Sequence, residues 1–109
     1  SVIRVGPYTV DIGRREVRRR EPAAAGEAST VTEVRLTRTE FDLLQELVTH
    51  LDQVLSYNHL LRAVWGPNYH DIRVVHVHAS HLRRKLELLG SPLRLETVRG
   101  VGYRLREER

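Results

Sequence analysis

The chain has 109 residues, 40% hydrophobic and 29% charged, which suits one globular domain (residues 1–109) with a single core. No apolar run approaches the ~20 residues of a membrane-spanning helix, no signal-peptide pattern opens the chain, and the absence of Cys excludes disulfides, thiolate chemistry and Cys-based zinc sites, so a cytoplasmic setting without a membrane partner is expected. Lys and Arg outnumber Asp and Glu by 18 to 14, the pI is about 10.1, and Lys85 is the only Lys, so the surface attracts polyanions mainly through arginines, whose planar forks bond bidentately.

Short strands come first. Val2, Ile3 and Val5 lead to the Gly6-Pro7 turn, and Tyr8-Thr9-Val10-Asp11-Ile12 alternates with Tyr8, Val10 and Ile12 on one face. A basic strand follows at 16–20. The stretch 21–30, rich in Ala with Pro, Gly, Ser and Thr, reads as a loop, and 32–36 as a fourth strand. At Leu36 the period becomes helical. Thr37 and Glu40 form a capping box, with Leu36 and Phe41 as its hydrophobic staple, and Phe41, Leu44, Val48 and Leu51 continue the stripe of a helix over about 38–50.

Residues 52–55 read as a short connection. Ser56 caps a second helix that ends at Gly66-Pro67-Asn68. A third helix is expected over 73–89, stopped by Gly90-Ser91-Pro92. Two alternating strands, 93–98 and 102–106, then form a hairpin around Arg99-Gly100-Val101.

On a helical wheel, Val75, Ala79, Leu82 and Leu86 form the inward stripe of the third helix. Val77, Ser80 and Arg84 lie nearly opposite, with Arg73 beside them, His76, His81 and Glu87 flanking, and Arg83 and Lys85 at the edges. This face offers donors for guanine O6 and N7, and methyl groups for a thymine methyl. Val77, Ser80, His81 and Arg84 are therefore the candidate base-reading residues. An α+β order of strands, three helices and a basic hairpin is the pattern of a winged helix-turn-helix: the third helix enters a major groove and the hairpin, about 98–102, reaches the adjacent backbone or minor groove. The alternative is a winged-helix protein-interaction module, which a low-charge third helix would favour.

Four blocks carry a family resemblance: Leu36-Thr37-x-Thr39-Glu40-Phe41-x-Leu43-Leu44, Leu60-Leu61-x-x-Val64-Trp65-Gly66, Val75-x-Val77-His78-x-Ser80-x-Leu82-Arg83-Arg84-Lys85-Leu86, and Thr97-Val98-Arg99-Gly100-Val101-Gly102-Tyr103-Arg104. In this order they resemble the effector domains of OmpR/PhoB-type response regulators across essentially the whole chain. The resemblance implies a sequence-specific transcription factor of a two-component phosphorelay. It also implies a receiver domain preceding this one in cis, a cognate histidine kinase, and duplex DNA bound as tandem half-sites. Trp65 and Tyr103 then offer an indole N–H and a hydroxyl to the DNA backbone. Arg73, His76, His78, Arg83, Thr97, Arg99 and Gly100 complete the candidate backbone contacts. The loop between the second and third helices, with Pro67, Asn68, Tyr69, His70 and Asp71, is implied to touch RNA polymerase. His76 stands where many members carry an acid and His81 where many carry a cation, so the operator is the chain's own.

No enzyme chemistry is expected, because no Gly-rich phosphate loop occurs and the Ser–His pairs are merely neighbours in sequence. His78 and His81 are spaced as a ligand pair, but no residue completes them, and neither metal nor cofactor is expected. Gly100 and Gly102 read as turn glycines that let Arg99 project from the wing tip.

Overall fold

A computed structural model describes residues 2–5, 8–19, 33–90 and 93–107. The Gly6-Pro7 turn, the Ala-rich loop 21–30 and Ser91-Pro92 lie outside them. The first four strands, β1 (Val2–Val5), β2 (Tyr8–Asp11), β3 (Glu16–Arg19) and β4 (Glu33–Arg35), form an antiparallel sheet in sequential order. Val10 pairs with Val17 and Val17 with Val34, so three β-branched side chains line one buried row. Tyr8 is buried on the same sheet, and its hydroxyl donates to the Gly90 carbonyl at 3.0 Å. Elsewhere on the sheet, Arg18 bonds Glu33 at 2.7 Å and Arg35 bonds Glu16 at 3.0 Å.

Helix α1 (Arg38–Thr49) starts on the predicted capping box. The Glu40 N–H donates to Thr37 Oγ1 at 3.2 Å and the Thr37 N–H to Glu40 Oε1 at 3.0 Å. Leu36 and Phe41 are buried together, and Leu43, Leu44 and Leu47 continue the apolar face. The expected connection at 52–55 is in part a strand, β5 (Val54–Ser56). Only three residues long, it has no period of its own, and its pairing partner lies almost fifty residues onward. Ser56 then caps α2 (Tyr57–Trp65), its Oγ accepting from the His59 N–H at 3.0 Å.

Helix α3 (Arg73–Leu88) buries Val75, Ala79, Leu82 and Leu86, the predicted stripe. The hairpin β6 (Leu93–Val98) and β7 (Gly102–Glu107) follows, with β7 central in a sheet of order β5-β7-β6. Leu55, Leu93, Leu95, Tyr103 and Leu105 turn into the same core as the three helices. The architecture is α+β, a winged helix-turn-helix with an N-terminal antiparallel sheet.

Candidate nucleic-acid interface

Burial of the Val75–Leu86 stripe fixes which side of α3 faces outward. Val77 is 50% exposed, and Ser80, His81 and Arg84 are exposed with it. Among the described residues Arg84 pairs with no carboxylate, whereas Arg14, Arg18, Arg35, Arg73, Arg104 and Arg106 each do. A cation already paired has less attraction left for a phosphate or base edge. Arg84, at the centre of the outward face, keeps all of its own.

The flanking candidates divide into anchors and free groups. Arg83 Nε donates to the Leu95 carbonyl at 3.0 Å and its NH2 to Thr97 Oγ1 at 2.7 Å, lashing α3 to β6. His76 Nδ1 lies 2.6 Å from the Tyr103 hydroxyl, and the two rings pack with Tyr57 in an aromatic cluster. Tyr103 is 3% exposed because its register opposite Leu55 turns it into the core. Burial, first of all, pushes its phenol above the ordinary range. The hydroxyl expected at a DNA phosphate is thus engaged by His76. His78 Nδ1 sits 2.8 Å from the Val74 carbonyl, and its ring meets Trp65 edge-on at 5.3 Å. Trp65 is half-buried against the core.

Arg73 forks onto Asp71, Nε to Oδ1 at 2.9 Å and NH2 to Oδ2 at 2.8 Å. These bonds hold the Asp71 carboxyl below, and the Arg73 guanidinium above, their usual ranges. The wing tip is open. Arg99, Gly100 and Val101 are exposed, Gly100 holds φ at +79°, and the Val101 N–H closes the turn onto Val98 at 2.9 Å. The tip is tied to α2 by the Tyr57 N–H, which donates to Val101 at 3.1 Å, and by the Tyr57 hydroxyl, 3.4 Å from the Val98 carbonyl. Gly102 differs from the expected turn glycine. Its φ is ordinary, and it is needed because β5 passes so close that a Cβ there would collide with Leu55 and Ser56 backbone. In the loop before α3, Pro67, Asn68, Tyr69 and His70 are exposed and Asp71 half-buried, with Tyr69 and Ile72 presenting apolar surface.

Sequence reasoning missed the support under this face. Glu40, 3% exposed, takes a bond from Lys85 Nζ beside its capping bond from Thr37, and His81 Nδ1 lies 4.0 Å from its other oxygen. Burial alone would raise this carboxyl, but Lys85, Thr37 and His81 together hold it below its ordinary range. The capping box pointed to Glu40 but not to its cation, which lies 45 residues onward. Among the described residues, the one group of three His, Asp or Glu close enough to share an ion is Glu46, His50 and His59, away from α3.

An outward-facing third helix, a hairpin braced to it and a helix-turn-helix core define a winged-helix DNA-binding domain of the response-regulator type. Residues 31–105 match the family described as "Transcriptional regulatory protein, C terminal", and the chain belongs to it. It is 46% identical to the transcriptional regulatory protein PrrA of Mycobacterium tuberculosis over 107 residues, covering 97% of this chain and 42% of PrrA. The chain thus spans less than half the length of that relative. Among solved structures, it resembles the DNA-binding domain of Klebsiella pneumoniae RstA in complex with the RstA box, with 34% identity, a TM-score of 0.73 and 99% of each chain covered. It also resembles the DNA-binding domain of CpxR from Escherichia coli, at 30% identity, a TM-score of 0.71, and coverage of 100% of this chain and 99% of that one. No described helix is long and apolar enough to cross a membrane.

Proposed function

We propose that the chain binds double-stranded DNA as the effector part of a response regulator, with α3 in the major groove and the wing on the adjacent backbone or minor groove. The observation that carries this reading is the outward face of α3, where Arg84, paired with no carboxylate among the described residues, stands beside Ser80, His81 and the exposed Val77. Arg84 makes bidentate bonds to a guanine edge, and Val77 meets a thymine methyl. Arg73, His78, Trp65, Arg99 and the Gly100 N–H contact phosphates. Arg83, Thr97, His76 and Tyr103 hold α3 and the wing in register, with the outer atoms of Arg83, Thr97 and His76 lying against the backbone.

The RstA domain, similar in fold and seen in complex with the RstA box, supports DNA as the partner. In the full-length protein a receiver domain precedes these residues and a histidine kinase phosphorylates it. The loop with Pro67, Asn68, Tyr69, His70 and Asp71 meets RNA polymerase, for which the exposed Tyr69 and Ile72 provide apolar contact surface. Selection of bound duplexes from a random pool at fixed salt tests the reading. Two direct repeats about one helical turn apart are expected. Enrichment of no sequence at all would overturn it.

A further inference from the structure

Glu46 lies in the last turn of α1, His50 is the C-cap residue of that helix, and His59 lies on the neighbouring α2. Glu46 Oε1 is 2.7 Å from His59 Nε2 and 3.6 Å from His50 Nδ1, and the two imidazoles meet edge to face with centroids 5.6 Å apart. One donor atom from each residue falls within a common 4.8 Å. His50 Nδ1 also bonds the Glu46 main-chain carbonyl at 3.0 Å, a bond it gives up to serve as a ligand. The side chains are 27%, 34% and 43% exposed in the order Glu46, His50, His59, so solvent ions reach them. Among the described residues no Arg or Lys pairs with Glu46, so its charge is balanced only by the histidines.

We propose that Glu46, His50 and His59 form a binding site for one divalent ion of the zinc class, with two imidazoles and one carboxylate as ligands and a water in the fourth position. Imidazole nitrogens select borderline ions such as zinc, cobalt(II) and nickel over magnesium and calcium. Zinc bonds of about 2.0–2.1 Å place tetrahedral donors about 3.3 Å apart. Rotation of half-exposed side chains opens the 2.7 Å pair and draws in the third donor. The ion takes the place of the hydrogen bond between His59 and Glu46. Once bound it cross-links α1 to α2 and stabilises the fold by mass action. The site is separate from the DNA-binding face of α3, and the two readings stand or fall independently.

The test is titration of the untagged 109-residue chain with zinc chloride by calorimetry, and with cobalt(II) by visible absorption, near neutral pH. One ion per chain is expected, with cobalt absorption of tetrahedral intensity and a higher melting temperature. His59→Gln and Glu46→Gln should each weaken zinc binding about tenfold or more, while His81→Gln leaves it unchanged. Circular dichroism checks that each variant folds, and His50→Gln replaces either one that does not. Undiminished zinc binding in these variants, loss with His81→Gln alone, or no saturable binding below millimolar ion would overturn the proposal.

Discussion

Gly102→Ala probes the joint between the wing and the helical core. Gly102 opens β7 opposite Ser56, and a methyl group there meets the Leu55 carbonyl carbon at 2.6 Å and Ser56 Cα at 2.8 Å, with the carbonyl oxygen nearer still. These are main-chain atoms, so no rotamer change relieves the clash, and β5 must separate from β7. Overpacking of this kind costs about 1–3 kcal/mol, and each ladder hydrogen bond lost as the three-residue strand shifts adds about 1 kcal/mol. Leu55, 6% exposed, also loses packing. A total of about 3 kcal/mol, at about 4–8 °C per kcal/mol for a domain of this size, lowers the melting temperature by about 12–24 °C. Gly100→Ala is the comparison. Its φ is +79°, but nothing lies within 4 Å of the added carbon, so only backbone strain of about 1–2 kcal/mol is incurred. Thermal and urea unfolding followed by circular dichroism measures both. A Gly102→Ala protein as stable as Gly100→Ala would refute the close approach of β5 and with it the three-stranded sheet.

Arg84→Ala should cost about 1–3 kcal/mol on the preferred duplex and relax discrimination at one base, whereas Arg99→Ala should weaken binding evenly across sequences; titrations on specific and random duplexes separate the two. Lys85→Met leaves the Glu40 carboxylate buried without its cation and should destabilise by about 3 kcal/mol at neutral pH, read by urea unfolding. Because Glu40 in the parent protein is held below its ordinary value of 4.5, its stabilising contribution is present above that value and lost as pH falls through the lowered one, so the gap between parent and variant should narrow with acid.

What the sequence made legible was local. The Thr37–Glu40 box, the Ser56 cap, the Val75–Leu86 stripe and the turn at Gly100 each depend on residues within a few positions of one another, and each stands where it was expected. The non-local features were hidden. Strand β5 exists only because β7 lies beside it, and Gly102 is required by that neighbour rather than by its own turn. For the same reason the bonds of Arg83 to Thr97 and Leu95 and of Tyr103 to His76 were hidden, since the hairpin folds back over α3 and offers partners that no local spacing reveals. The group of Glu46, His50 and His59 was hidden likewise, because His59 approaches from α2.

The proposed docking of α3 and the wing on duplex DNA is measured most directly by affinity against salt. Each phosphate neutralised releases condensed counterions, so log K falls with log salt by about 0.9 per contact. With three arginines at the backbone, Arg73, Arg83 and Arg99, the slope is about −2.7, and it should hold on both a selected site and a random duplex, with the selected site bound more tightly throughout. An affinity that does not change from low to physiological salt would contradict the account.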